Sequence, residues 1–157
     1  MNALRAIDRS VTAGLDTRSL GTPVAVRAFL RLSADHGHLL HIATEMAVVA
    51  AGWFKSKPSQ VHALGGKQAG QLVLSIEHDA GQTTLATIAT LLGEASPMAD
   101  ILVLGNHGTL SWEGPANDLS ATGAYEPTDP SPPAMAIRAA VERSMETGDV
   151  IAVEESN

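Results

Sequence analysis

Residues 37–54 read GHLLHIATEMAVVAAGWF, the longest uninterrupted helical pattern in the chain. The segment has no Pro and consists mainly of Ala, Leu, Met and a few β-branched residues, a composition typical of a buried helix. At about 100° per residue, His38, His41 and Glu45 fall on one line, while nearly all other positions are apolar. The pattern predicts a largely buried helix whose polar row faces a cleft, a subunit boundary or water.

The segments on either side predict what covers this helix. Residues 2–13 have amphipathic helical spacing, and residues 24–32 alternate between apolar and polar or small side chains, as a strand does. After Pro58 the apolar period changes from about 3.6 to about 2. Five candidate strands follow: residues 60–64, 71–78, 83–91, 101–105 and 109–113.

The chain closes with a predicted helix over residues 134–147, for which Gly148 is the C-cap, and a strand over residues 150–153. Short Gly-rich links separate the middle strands, and such links predict a meander of antiparallel hairpins. The sequence therefore predicts one α+β domain over residues 1–157, an open, mostly antiparallel β-sheet with helices packed on one face.

One face of this sheet is expected to stay uncovered. In the strand over residues 83–91 neither set of alternating side chains is charged. We expect the side of Thr84, Ala86 and Ile88 to be the uncovered one, and apolar surface of this extent is typical of a subunit contact. A homodimer or tetramer joined through the sheet face is predicted.

The composition restricts the function classes. The chain of 157 residues is 45% hydrophobic, 17% charged and 3% aromatic, with a formal net charge of −7 and an isoelectric point near 5.2. An acidic chain with few aromatic rings lacks the basic surface and stacking platforms of nucleic-acid binders. There is no Cys, no apolar signal segment and no apolar run long enough to span a bilayer. We expect a cytoplasmic protein with neither a nucleic-acid nor a membrane partner.

Three side chains of the central helix form the candidate site. Two imidazoles and a carboxylate at His38, His41 and Glu45 make a facial set such as Fe(II) or Zn²⁺ accepts. The same pattern also arises from ordinary packing at the edge of a core, and the sequence identifies no fourth ligand. His107 is a further ligand candidate, although Gly105-Asn106-His107-Gly108 is most simply a tight turn that needs positive φ.

Other conspicuous side chains have structural explanations. His62 and His78 lie in predicted strands and are expected to be surface or hydrogen-bonded histidines. Trp53 and Trp112 are expected to anchor the core or an interface. For these side chains the structural explanation is favoured over a functional one.

Four phrases run in order through nearly the whole chain: residues 7–21 with 24–27, 37–53 with 58–63, 104–110 and 136–148. Their order and spacing resemble the C-terminal domain of the glucose–fructose oxidoreductase / inositol dehydrogenase (Gfo/Idh/MocA) family. In that family a Rossmann domain that binds NAD(P) precedes an open-sheet domain, which supplies substrate groups and the oligomer interface. The resemblance implies the same open-sheet fold here.

The sequence departs from that family in two ways. No Gly-x-Gly-x-x-Gly motif follows a strand, so we expect no cofactor in this chain and NAD(P) only through a separate Rossmann domain. In the family an Asp, a His four residues on and an Asp three further commonly face the nicotinamide. The matching positions hold His41, Glu45 and Val48, so the spacing is kept and the residue types are not. Hydride transfer by this chain alone is not expected.

Three functions stay open from the sequence. The first is a stand-alone oxidoreductase C-terminal-like domain that acts as an oligomerising or substrate-binding module and is not catalytic alone. The second is half of a split NAD(P)-dependent sugar or polyol dehydrogenase, with a Rossmann-domain partner. The third is a small metal- or ligand-binding enzyme that uses the central helix.

Overall fold

The computed structural model of the protein describes residues 3–16, 19–32, 39–90, 96–116 and 131–154. Within these ranges the chain forms three α-helices: α1 (Ala3–Leu15), α2 (Leu39–Phe54) and α3 (Pro132–Thr147). It also forms seven strands: β1 (Pro23–Leu32), β2 (Pro58–Gly66), β3 (Gln71–His78), β4 (Thr83–Thr90), β5 (Met98–Gly105), β6 (Thr109–Pro115) and β7 (Ile151–Ala152). The described part of the central helix begins at Leu39. Positions 37 and 38 of its predicted span lie outside the described residues.

The described strands form one sheet in the order β6-β5-β1-β4-β3-β2-β7, in which only β1 and β4 are parallel. The predicted α+β fold with an open, mostly antiparallel sheet is therefore confirmed. The single meander is wrong, because β1 lies between β4 and β5 and separates the β2-β3-β4 meander from the β5-β6 hairpin. One side of this central strand is a continuous buried apolar row, which lies on the face that the helices cover. That row consists of Val26, Ala28, Leu30 and Leu32.

All three helices cover the same face of the sheet. α2 contacts β1, β2, β3 and β4, α3 contacts β2 and β7, and α1 contacts α2 and β6. Burying the apolar side of each helix against the apolar side of the sheet is the main stabilising contribution in a fold of this class. The largest buried side chains of this core include Leu30, Ile42, Met46, Leu72, Leu74, Ile76, Ile88 and Ile101.

The uncovered face of the sheet is formed by the opposite set of side chains from the one predicted. Thr84, Ala86 and Ile88 are fully buried beneath the helices. Their orientation follows from strand pairing, because Ala86 is the direct neighbour of the buried Ala28 on β1, and paired residues point to the same side. Leu85 and the other odd-numbered residues of β4 therefore face outward.

α3 has a defined beginning and end. The Ser131 side chain accepts a hydrogen bond from the Ala134 N–H, and two prolines occupy the first helical positions, where no N–H is needed. Gly148 has a φ of 75° and its N–H donates to the Ser144 carbonyl, so the predicted C-cap is confirmed. These caps hold α3 in register with the edge of the sheet.

The helices contain 13, 16 and 16 residues. Trp53, at the end of α2, is buried, and its indole N–H donates to the Asp8 carboxylate of α1 at 2.8 Å, so it is an anchor inside the core. None of the helices in the described part of the chain is long and apolar enough to cross a membrane.

Candidate functional site

His41 and Glu45 lie one turn apart in the first half of α2. Nε2 of His41 is 3.1 Å from Oε1 of Glu45, and 11% and 15% of the two side chains remain exposed. The row that they form continues to the half-buried Val48. The pair therefore lies at the boundary between the core and solvent, with its polar atoms directed at each other.

This pair has the chemistry of an oriented histidine. An ionised carboxylate only accepts hydrogen bonds, so Nε2 of His41 carries the proton that points at Glu45. A carboxylate in this position fixes the tautomer and the orientation of the ring. An imidazole oriented in this way suits a group that takes part in proton transfer during a reaction.

The metal set predicted from the sequence can be located only in part. His38 lies outside the described residues. Within the described ranges no group of three His, Asp or Glu side chains is placed to hold a metal ion. A metal at His38, His41 and Glu45 therefore stays a prediction.

His107 lies at the other end of the sheet from His41. The backbone N–H of His107 donates to the Leu20 carbonyl at 3.1 Å. Gly105, in the same turn, pairs with Pro23, the first residue of β1. The last turn of α2 packs over this end of the sheet, at the β3–β4 turn. His41 precedes that end of α2 by 13 residues, which is about 20 Å of helix. The two ligand candidates therefore do not form one site.

The β5–β6 turn is held by the segment before β1 and not by positive φ. Gly105 and Gly108 both lack positive φ, so that part of the prediction is wrong. Asn106 donates its N–H to the Thr22 carbonyl at 3.0 Å, and its side-chain oxygen accepts the Thr22 N–H at 2.8 Å. Glycine is needed because a Cβ on Gly105 would overlap the carbonyl oxygen of Leu20. Glycine at position 105 of this motif is therefore explained by the close approach of the Leu20 backbone.

Both histidines predicted in strands are hydrogen-bonded, as expected. Nε2 of His62 is 3.0 Å from the Gly148 carbonyl oxygen. Nδ1 of His78 is 3.2 Å from the Ser56 carbonyl oxygen, and its Nε2 is 3.0 Å from the Thr84 hydroxyl. Since a carbonyl only accepts, Nδ1 of His78 carries the proton, and in the neutral ring Nε2 accepts from Thr84.

His78 is held in its neutral form. Its side chain is 3% exposed, and burial lowers its pKa, against smaller opposing effects of the Ser56 carbonyl and the Asp79 charge. The depth of this burial was missed by the sequence reasoning, although a signal existed. Position 78 continues the alternation of the buried residues 72, 74 and 76.

A cleft of about 720 Å³ opens where α2 ends, α3 begins and β2 starts. Its size falls within the range of about 300–1,000 Å³ found for small-molecule sites. Val48 contributes to an apolar wall, and Lys55 and Lys57 lie on its rim. His41 and Glu45 do not line this cleft. Neither lysine is among the site residues predicted from the sequence.

Dehydrogenases of known structure share this fold. The myo-inositol dehydrogenase of Lactobacillus casei, in complex with NAD(H) and myo-inositol, matches with a TM-score of 0.69 and 13% identity, over 96% of this chain and 59% of that chain. The WlbA dehydrogenase of Bordetella pertussis, in complex with NADH and UDP-GlcNAcA, matches with a TM-score of 0.66 and 14% identity, over 99% of this chain and 61% of that chain. A probable dehydrogenase of Thermotoga maritima matches with a TM-score of 0.65 and 13% identity, over 98% of this chain and 62% of that chain. No family model and no curated protein matches the chain.

The chain spans 59–62% of the length of these three dehydrogenases, although nearly all of its own length is matched. Such a share fits one domain of a two-domain enzyme. At sequence identities of 13–14% the similarity shows a shared fold and nothing further. The protein therefore has the fold of the C-terminal domain of the Gfo/Idh/MocA dehydrogenases, as the sequence resemblance predicted.

Proposed function

We propose that this chain is an assembly module with a dehydrogenase C-terminal fold, which associates with a second copy of itself through the open face of its sheet. The observation that carries the proposal is the apolar surface of that face. Phe29, Leu85 and Leu64 keep 39%, 44% and 51% of their surface exposed. Large apolar side chains grouped on one uncovered face are typical of protein–protein contacts.

The strand pairing joins these side chains into one band. A row of directly paired residues crosses six strands on the open face: Leu64, Val73, Thr87, Phe29, Asp100 and Glu113. Leu85 lies beside this row, paired with Arg27. The band is apolar from β2 to β1 and acidic on β5 and β6, so it offers both a hydrophobic centre and a charged flank.

The charges of this face are complementary to each other. Arg27 and Arg31 lie on either side of Phe29 on β1, whereas Asp100 lies on the neighbouring β5. A two-fold axis between these strands places β1 of one copy over β5 of the other, so that arginines meet Asp100.

The area of the face fits a dimer contact. Six strands spaced about 4.8 Å apart, each about eight residues long, give a flat area of about 600 Å². Stable interfaces bury about 800 Å² of accessible surface per partner, and accessible area exceeds flat area on a surface with protruding side chains. The open face is therefore large enough to hold a second copy.

We expect Leu85→Glu to convert the dimer to a monomer, because it places a carboxylate in the apolar centre of the contact. Taking that carboxylate out of water costs several kcal/mol even beside Arg27, its paired neighbour on β1, so the dissociation constant should rise by about 100-fold or more. Sedimentation equilibrium at micromolar concentration measures the mass of each species.

Met135→Glu is the matched control, since Met135 is 63% exposed but lies on α3, on the opposite side of the sheet. It should leave the mass of the assembly unchanged. A wild-type chain that is monomeric at micromolar concentration would contradict the proposal. So would equal effects of the two substitutions.

The second candidate function is that of half of a split dehydrogenase, favoured by the match to only 59–62% of two-domain enzymes. In that case a separate Rossmann polypeptide supplies NAD(P), and the His41–Glu45 pair faces the shared site. The pair would then hold a proton, while the partner binds the cofactor. The substrate-binding role of the first hypothesis and the metal site of the third would use the same pair, together with His38.

We expect the isolated chain not to bind NADH with micromolar affinity. The sequence has no Gly-rich turn leading from a strand into a helix N-terminus, which is the structure that holds a pyrophosphate. Isothermal titration calorimetry with NADH should give no binding heat in the micromolar range. Saturable binding there would overturn this expectation. A stable complex of this chain with an NADH-binding Rossmann polypeptide would favour the split enzyme over the module.

A further inference from the structure

We propose that the cleft between the end of α2 and the start of α3 binds a small organic anion. In this site Lys55 and Lys57 hold a phosphate or carboxylate group, and the apolar body of the ligand lies against Val48 and Ile137. The inference does not depend on the proposed assembly, because the cleft lies on the helix-covered side of the sheet.

The distribution of lysines is the first observation. The chain has a formal net charge of −7 and contains three lysines, at positions 55, 57 and 67. Two of the three lie on this cleft, together with the single acidic side chain of Asp79 among its described lining residues. The cleft is therefore locally cationic in an acidic protein, which favours an anionic ligand.

The backbone of Lys55 is the second observation. α2 ends in a Schellman motif, in which the Ser56 N–H donates to the Ala51 carbonyl at 3.2 Å and the Lys55 N–H to the Gly52 carbonyl at 3.3 Å. Lys55 therefore occupies the left-handed position that glycine usually fills, with a φ of 53°. It is the one residue other than glycine with positive φ in the described ranges.

A lysine at this position works against the stability of the fold. The left-handed conformation is unfavourable for any residue with a Cβ, and glycine avoids that cost. A cation in the last turn of α2 would also interact favourably with the helix dipole, without needing left-handed backbone. The position therefore suits a side chain that is needed in the cleft, which is how strained residues at binding sites arise.

The walls of the cleft determine the class of ligand. Val48, Ala51, Ile137 and Val153 are apolar lining residues, and Lys55 and Lys57 are the basic ones. The serines on the cleft already have partners, since the Ser56 hydroxyl accepts the Ala80 N–H at 3.1 Å and the Ser59 hydroxyl donates to the Glu77 carbonyl at 3.0 Å. A ligand with one anionic group and an apolar body matches these walls better than a polyhydroxylated one.

The test uses the full chain and three probes: phenyl phosphate, inorganic phosphate and phenol. Titration followed by amide chemical shifts should show phenyl phosphate binding about tenfold or more tightly than either fragment, because it alone uses both the lysines and the apolar wall. Lys55→Gly should weaken phenyl phosphate binding about tenfold while raising the melting temperature, since glycine relieves the left-handed strain. A variant that binds worse but is more stable cannot be explained by unfolding.

Lys57→Gln should weaken phenyl phosphate binding as well, and Lys67→Gln is the control. Lys67 is the third lysine of the chain and follows β2 in the sequence, so its substitution changes the net charge equally. The proposal is overturned if phenyl phosphate binds no better than phenol. It is overturned too if Lys55→Gly leaves the affinity unchanged, or if Lys67→Gln weakens binding as much as Lys57→Gln.

Discussion

Gly105→Ala is expected to destabilise the protein by about 3 kcal/mol, because the added methyl group has no room in this turn. The new Cβ would overlap the Leu20 carbonyl oxygen and lie 2.8 Å from Cγ of the same residue. The backbone there cannot move away freely, because Asn106 is hydrogen-bonded to both the N–H and the carbonyl of Thr22. Urea unfolding at neutral pH measures the loss of free energy.

Gly52→Ala is the control for this prediction. Gly52 is in α2, its φ is not positive, and a Cβ there meets nothing within 4 Å. Replacing a helical glycine with alanine should stabilise the chain by about 1 kcal/mol. Similar stabilities of the two variants would contradict the view that close backbone approach, and not turn conformation, requires Gly105.

The elements of this fold could be read from the sequence because each is a local pattern. Residues 39–54 have no helix breaker, and the end of α3 is marked by Gly148. Caps and periods act within a few residues, so they are visible without tertiary structure. The resemblance to the dehydrogenase domain rests on the order in which these patterns follow one another.

The orientation of β4 could not be read in the same way. Its two alternating sets are Thr, Leu, Thr, Ala and Thr, Ala, Ile, Thr, and neither is distinctly more apolar than the other. The pairing of Ala86 with Ala28 decides which set is buried. That pairing is a long-range contact between strands nearly sixty residues apart, which the local pattern does not contain. The position of β1 between β4 and β5 was missed for the same reason.

The candidate site was predictable only in part. The helical spacing of His41 and Glu45 correctly brought those two side chains together. The cleft depends on α2, α3 and β2 meeting, and the strain of Lys55 on how α2 ends. Neither property is a function of local composition. The ring of His78 joins the sheet to this end of α2, because it is hydrogen-bonded to the carbonyl of Ser56, the residue between the two lysines.

At His78 we expect a loss of stability on acidification and a large cost on removal. The ordinary pKa of this side chain is 6.5, and burial lowers it in the folded protein. Below pH 6.5 the unfolded chain therefore takes up a proton that the folded chain does not bind. The free energy of unfolding should fall as pH decreases through this range, by at most about 1.4 kcal/mol per pH unit for this one group.

Removing the ring should cost more than its protonation. His78→Ala leaves the Ser56 carbonyl and the fully buried Thr84 hydroxyl without this partner. It also removes the edge-on contact with Phe54, whose ring centroid is 4.7 Å away. An unpaired buried polar group costs about 1–3 kcal/mol, and the cavity adds to that, so we expect a loss of about 3 kcal/mol at pH 8.

Two conservative variants separate the titration of His78 from that of the other histidines. His78→Gln removes the proton-binding ring but keeps polar atoms near its partners, and His62→Gln does the same at a hydrogen-bonded histidine on β2. Between pH 8 and pH 5.5 the melting temperature of His62→Gln should fall as steeply as that of the wild type, whereas His78→Gln should show a shallower decline. If the His78→Gln variant kept the full wild-type slope, another group would be responsible, and the neutral buried ring would not be what couples this fold to pH.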